Sequence, residues 1–216
     1  MPSSELITLT DPQSPVTEAF RTLRTNLIFS SLDHPLATLL VTAATPDEEK
    51  SLTLANLAVS MAQGGRKTIL VDCDLRHPRQ HEIFGVAAQP GLTEYVLEGG
   101  ARPALVATSV EGLQLLPAGA LPPNAADLLS SRKLDAAIAS LKTMADVVLF
   151  DAPPVLAVTD AALLATKLDG VLLVVSAGQS RRDRALRAKE MLEKIHVRLV
   201  GTVLTHAALD RSLSVY

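Results

Sequence analysis

The chain has 216 residues, 48% of them hydrophobic, and a net charge of −3. That is enough apolar chain for a packed α/β domain, which excludes disorder. An acidic balance with 3% aromatic residues offers neither a basic field nor a stacking platform for nucleic acid.

Residues 1–14 read as a polar, flexible N-terminal arm without the basic and apolar regions of a signal peptide. Ser14 and Pro15 then start a helix, since serine caps a first turn and proline is tolerated at its first position. Thr17 to Ser30 continues it with apolar residues at helical spacing. Strands are expected near 37–43, 68–72, 146–150, 170–176 and 197–204, and helices near 51–63, 124–142, 158–166 and 181–195. The strands are rich in Val, Ile and Leu with no polar alternation, so both faces should be buried. Such strands joined by helices imply a doubly wound, mostly parallel sheet, with its ligand crevice at the carboxyl ends of the strands. Residues 75–123, rich in Pro and Gly, read as loops and short helices over that crevice. The layout is then one domain over 15–210 and a short tail over 211–216. Apolar runs such as 170–177 are too short to span a bilayer, so no direct membrane insertion is expected and a cytoplasmic protein is the simplest reading. Cys73 is the only cysteine, which excludes an internal disulfide. Its flanks make it a small core residue rather than a reactive thiol.

Three strand ends carry chemistry. The first is VTAATPDEEKS, residues 41–51, between a strand and a helix. It has the layout of a phosphate-binding loop, G-x-x-x-x-G-K-[ST], with Lys50 to reach terminal phosphates and Ser51 to ligate Mg²⁺. The loop residues Thr45, Pro46, Asp47, Glu48 and Glu49, with Lys50, Ser51 and Leu52, form the candidate nucleotide contact. The second is TILVDCDLRHPR, residues 68–79, where a buried strand delivers Asp72 and Asp74 to its end. Two residues apart on extended chain, they share a face. They suit a hydrated Mg²⁺, or one could accept a proton from a substrate hydroxyl. The same pattern also fits a polar strand end paired with Arg76 and Arg79. The third is ADVVLFDAPPVLAVTD, residues 145–160, with Asp151 ending a buried strand, a place from which a carboxylate can hold a metal-bound water.

Taken with TEAFRTLRTNL and LPPNAADLL, these motifs resemble, in order and over about residues 14–205, the bacterial tyrosine kinases of capsule and exopolysaccharide clusters, the BY-kinase or CpsD/CapB family. The resemblance implies a P-loop NTPase-like three-layer sandwich that binds ATP or ADP with Mg²⁺ through Walker A, A′ and B sequences. Carried over by position, Lys50, Asp72 and Asp74 would be catalytic, and Ser51, Asp72 and Asp151 would serve the metal. It also implies a transmembrane polysaccharide co-polymerase adaptor as partner, with recruitment to the inner face of the membrane. Glu18, Arg21 and Arg24, spaced E-x-x-R-x-x-R on a helix, resemble the motif that joins family members into a homo-oligomer. A solvated face with local ion pairs fits the same spacing.

The chain departs from the family pattern in three places. Glu49 replaces the glycine before the Walker lysine. The closing strand, GTVLTHAALD, has Thr205 and His206 near the place of an asparagine that helps hold the base. The C-terminal tyrosine cluster is absent, Tyr95 and Tyr216 being the only tyrosines. If the loop needs a left-handed residue at Glu49, the cost is roughly 1–2 kcal/mol. A carboxylate about 4 Å from a phosphate charge adds roughly 4 kcal/mol at an effective dielectric near 20. The expectation is that the carboxylates of Asp47, Glu48 and Glu49 stand in for phosphate and weaken nucleotide binding and autokinase activity. An active kinase acting on a partner is the alternative. A partition-type ATPase is another, disfavoured because no lysine lies between Thr42 and Glu49.

Overall fold

The computed structural model describes residues 6–46, 48–99 and 102–208. Helix α1 (Ile7–Thr10) is followed by α2 (Pro15–Ser30), whose first turn is capped by Ser14 Oγ accepting from the Thr17 amide. Strand β1 (Thr38–Ala43) leads into α3 (Lys50–Gln63), and β2 (Thr68–Asp72) into α4 (Gln80–Phe84) and α5 (Leu92–Glu98). Next come β3 (Val106–Ala107), β4 (Leu113–Leu116), α6 (Ala125–Ser130) and α7 (Arg132–Lys142). The chain then runs through β5 (Val147–Asp151), α8 (Asp160–Ala165), β6 (Gly170–Ser176), α9 (Arg182–Lys194) and β7 (Leu199–Thr205).

The sheet has the order β3-β4-β2-β5-β1-β6-β7, parallel except for the pairing of β3 with β4. Side chains alternate along each strand, so one run of apolar residues feeds two cores. Leu39 and Val41 pack toward α2 and α3, whereas Leu40, with Val71 and Phe150, packs toward α6 and α7. This gives three layers and explains the missing polar alternation, since every residue of β1, β2 and β5 is buried. The register sets Asp72 beside Asp151 and Val41 beside Asp151, so the ends of β1, β2 and β5 meet at one place. Among the described residues no helix is long and apolar enough to cross a membrane.

Three expectations change. From Leu6 onward the arm is packed: Leu6 is fully buried, and the Thr8 amide and hydroxyl donate to Asn56 Oδ1 at 3.1 and 2.9 Å. The apolar residues Leu6, Ile7 and Leu9 inside a polar stretch are the cause, because burying even one leucine contributes about 1.5–3 kcal/mol. The region 75–123 is not only a cover; it supplies the β3-β4 edge of the sheet, with Leu113, Leu115 and Leu116 buried. The helix expected over 124–142 is two, because Ser131 is extended and its hydroxyl caps α7 by accepting from the Leu134 amide. Residues 1–5 of the arm, Asp47, and the tail with Tyr216 lie outside the described residues.

Asn56 is 2% exposed and also donates to the Leu52 carbonyl, so it fastens the first segment to α3. Replacing it leaves buried donors unsatisfied. Asn56→Ala is expected to lose about 1–3 kcal/mol in urea unfolding and to open residues 6–14 to protease. Unchanged stability with the segment still protected would contradict this role.

Candidate functional site

The site is assembled from three strand ends. Lys50 is the first residue of α3 and is buried although cationic. Its ammonium donates to Ser51 Oγ at 3.1 Å, Asp74 Oδ2 at 2.9 Å and Asp151 Oδ1 at 3.1 Å. An ammonium has three protons, and three oxygens receive them. Burial works against the charge on Lys50, but Asp151 and then Asp74 outweigh it and raise its pKa.

Asp72 and Asp74 do not act as a matched pair. Asp74 lines an open cleft of about 340 Å³ together with Pro46, Lys50, Ser51, Pro153 and Val158. Asp72 is fully buried, and its oxygens accept the amides of Asp74, Arg79 and Gln80 at 3.2, 3.0 and 2.9 Å. Burial, then the neighbouring Asp151, pushes the Asp72 carboxyl well above its usual range, opposed in part by the Gln80 amide. Burial also pushes the Cys73 thiol up, in keeping with a core residue.

The loop before Lys50 is closed by its own acid. Glu48 is 1% exposed; its Oε2 accepts the Thr45 amide at 2.8 Å, and its Oε1 accepts from the hydroxyl of Ser180. Glu49 lines the cleft beside Lys50 and Ser51 but is half open to solvent. Its side chain is 52% exposed, its Oε2 lies 3.6 Å from His206 Nε2, and its φ of −19° is outside the left-handed region. The acid against the loop backbone is therefore Glu48, not Glu49. Leu52 is partly buried and packs on the core rather than lining the cleft. On α2, Arg21 pairs with Glu18 at 2.9 Å and donates to the Pro12 carbonyl, while Arg24 donates to the Ser60 carbonyl at 2.7 Å. Both arginines thus make contacts within this chain.

Sequence reasoning missed Gln80, Ser180 and the Arg76–Asp160 pair. Gln80 is fully buried and donates from Nε2 to Asp151 Oδ2 at 2.7 Å and to the Ser51 carbonyl at 3.0 Å. Arg76 holds the buried Asp160 with two hydrogen bonds, 2.8 and 3.1 Å long, and this raises the Arg76 pKa. A glutamine heading a short helix gives no sign of burial in the sequence alone.

Tyrosine-protein kinase YwqD of Bacillus subtilis is 39% identical over 207 residues, covering 95% of this chain and 87% of that protein. The chain belongs to the bacterial tyrosine-protein kinases. CpsD of Streptococcus agalactiae is 34% identical over 202 residues, covering 92% of this chain and 86% of that kinase. The crystal structure of the chimerical protein CapA2B2 superposes with a TM-score of 0.89 at 35% identity, covering 94% of this chain and 89% of the other. The kinase domain of Escherichia coli ETK gives a TM-score of 0.87 at 29% identity, covering 94% and 82%. A more distant neighbour is the septum site-determining protein MinD of Pyrococcus horikoshii complexed with Mg-ADP, with a TM-score of 0.65 at 27% identity, covering 77% and 69%. No protein-family model matches the chain. The fold is that of the P-loop NTPases.

The raised Asp72 pKa fixes a sign. A carboxyl that holds its proton more tightly when folded opposes folding increasingly as pH rises from its usual 3.8 through the raised folded value. Asp72→Asn removes that dependence. The stability of the variant relative to wild type, from urea unfolding, is expected to improve as pH rises above the usual 3.8 toward the raised folded value, and to level off beyond it. A pH-independent difference would show that Asp72 carries no such penalty.

Proposed function

We propose that this chain is an ATP-dependent protein-tyrosine kinase of capsular or exopolysaccharide production whose nucleotide site is held shut by its own side chains. The observation that carries this reading is the cage of Ser51 Oγ, Asp74 Oδ2 and Asp151 Oδ1 within 3.1 Å of one cation. Those are hard oxygen donors of the kind Mg²⁺ takes, and Lys50 holds their centre. Among the described residues no group of three or more His, Cys, Asp or Glu side chains is placed to hold a metal ion. That fits a metal completing its shell with phosphate and water. Mg²⁺, when bound, supplies positive charge against the phosphates of ATP and the charge that develops on transfer.

Lys50 would hold phosphate oxygens, and Asp151 and Ser51 would hold the cation. Asp74 lines the cleft and accepts the proton of the tyrosine hydroxyl. Asp72 braces the turn after β2 through three backbone amides. Glu48 competes with phosphate for the loop, so nucleotide affinity and autokinase activity are attenuated. The acceptor tyrosine lies on a partner or a neighbouring subunit. The chain works in the cytoplasm, recruited to the inner face of the membrane by a transmembrane polysaccharide co-polymerase adaptor, and Glu18, Arg21 and Arg24 on α2 join copies into an oligomer. The second reading is an interaction module that keeps the kinase fold and signals by docking alone. The buried Glu48 favours it. The 39% identity to a tyrosine-protein kinase, against 27% to MinD, leaves little support for a partition-type ATPase.

Calorimetry with ADP and Mg²⁺ tests the plug. Glu48→Gln, which keeps the shape and removes the charge, is expected to tighten binding at least about tenfold, or 1.4 kcal/mol. Glu49→Gly should change affinity less than about threefold, because an exposed carboxylate is screened. The reverse ranking would return the plug to Glu49. With radiolabelled ATP and purified adaptor, phosphotyrosine that disappears in Lys50→Met supports the kinase. None under any condition supports the docking module.

A further inference from the structure

Gln80 touches all three strand-end motifs. Its amide nitrogen bridges the Ser51 carbonyl and Asp151 Oδ2, and its backbone N–H caps Asp72 Oδ2. Each Asp151 oxygen is thereby assigned. Oδ2 is bound by Gln80, and Oδ1 is left facing Lys50. Gln80 Oε1 is also buried and has no hydrogen-bond partner among the described residues, although buried polar groups are ordinarily satisfied. The amide orientation is fixed by two acceptors at Nε2, so turning it over would set an oxygen against two oxygens. An apolar side chain could fill this space without orphaning an acceptor, so packing does not explain an amide here.

We propose, building on the kinase reading above, that Gln80 is the positioning residue for the metal-facing carboxylate. By donating to Oδ2 it prevents Asp151 from turning, and it presents Oδ1 to whichever cation occupies the cage. Its free Oε1 is an acceptor for a donor that the described residues do not supply. Gln80 itself touches neither nucleotide nor acceptor tyrosine. Its effect is on the metal dependence of nucleotide binding rather than on nucleotide contact.

The test compares wild type with Gln80→Met, which keeps length and loses the amide, and Gln80→Leu, which loses the amide and likewise adds no charge. Either variant serves if the other does not fold, as judged by circular dichroism and melting. ADP binding is measured by calorimetry across a Mg²⁺ series and in chelator. The half-saturating Mg²⁺ concentration is expected to rise at least tenfold, while metal-free ADP affinity stays within twofold. An unchanged Mg²⁺ dependence, or an equal loss with and without Mg²⁺, overturns the proposal. If wild type binds ADP under no condition, the nucleotide reading falls, and a second arm still decides the role of Gln80. Lys50→Met opens the cage, and Mn²⁺ binding by electron paramagnetic resonance is compared with that of Lys50→Met/Gln80→Met. A tenfold weaker affinity in the double variant supports positioning. Equal affinity, or no binding by either, overturns it.

Discussion

The buried ammonium of Lys50 is the interaction on which this site depends. Parallel β2 and β5 bring Asp72 and Asp151 side by side, and the turn after β2 adds Asp74. Three acids at one strand edge repel one another in a low dielectric, where such charges interact far more strongly than in water. One response is visible in Asp72, whose carboxyl is held toward its protonated form by burial and by Asp151. The other is Lys50, which pairs with the remaining two. A buried ion pair of this kind is weak evidence for net stability, since desolvation offsets the attraction, but losing one partner leaves an uncompensated charge. The lysine is therefore a structural counter-ion shared by Asp74 and Asp151.

The loop ahead of it obeys the same logic with opposite sign. Backbone amides of a tight loop favour an anion, and the one satisfied here is that of Thr45. Glu48 supplies the anion from within the chain, and the Ser180 hydroxyl after β6 holds its other oxygen. His206, after β7, lies beside Glu49 and is within 2.9 Å of Ser176 Oγ, so the ends of β6 and β7 are both fastened to the loop. Glu49, the residue that most visibly departs from a phosphate-loop pattern, lines the cleft with a half-exposed side chain, while the buried Glu48 closes the loop.

Much of this was legible from residue order. Four of the five strands were readable because a strand buried on both faces has no polar alternation to confuse with a surface; the fifth, β7, was expected to be buried as well, but as an edge strand it is only half-buried or exposed along its length. Lys50, Ser51, Asp74 and Asp151 were readable because each ends a strand or starts a helix at a fixed offset. Other features depended on tertiary contacts. Leu113–Leu116 is four residues long, too short to stand out among loops, and becomes a strand only because β2 offers a free edge. Leu6 is buried because α3 presents Asn56 to hold Thr8. The choice between Glu48 and Glu49 could not be read from composition, since adjacent carboxylates differ only in which way the backbone aims them. Gln80 was invisible for the same reason: its amide matters through Asp151, 71 positions away.

The internal ions also constrain how a ligand can enter. Lys50 is matched by Asp74 and Asp151, and the Thr45 amide of the loop by Glu48. Phosphate arriving without metal draws Lys50 away and leaves two buried carboxylates unpaired beside a third. Metal arriving without phosphate meets an ammonium already seated among its oxygens. Each half-reaction creates an uncompensated buried charge, which is among the costliest changes a protein interior undergoes. On the proposed reading a metal-bound nucleotide would avoid both, because the metal would stand in for the ammonium at the carboxylates while phosphate stood in for the carboxylates at the ammonium. Coupling between metal and nucleotide would then follow from one lysine shared between two partners of the same charge.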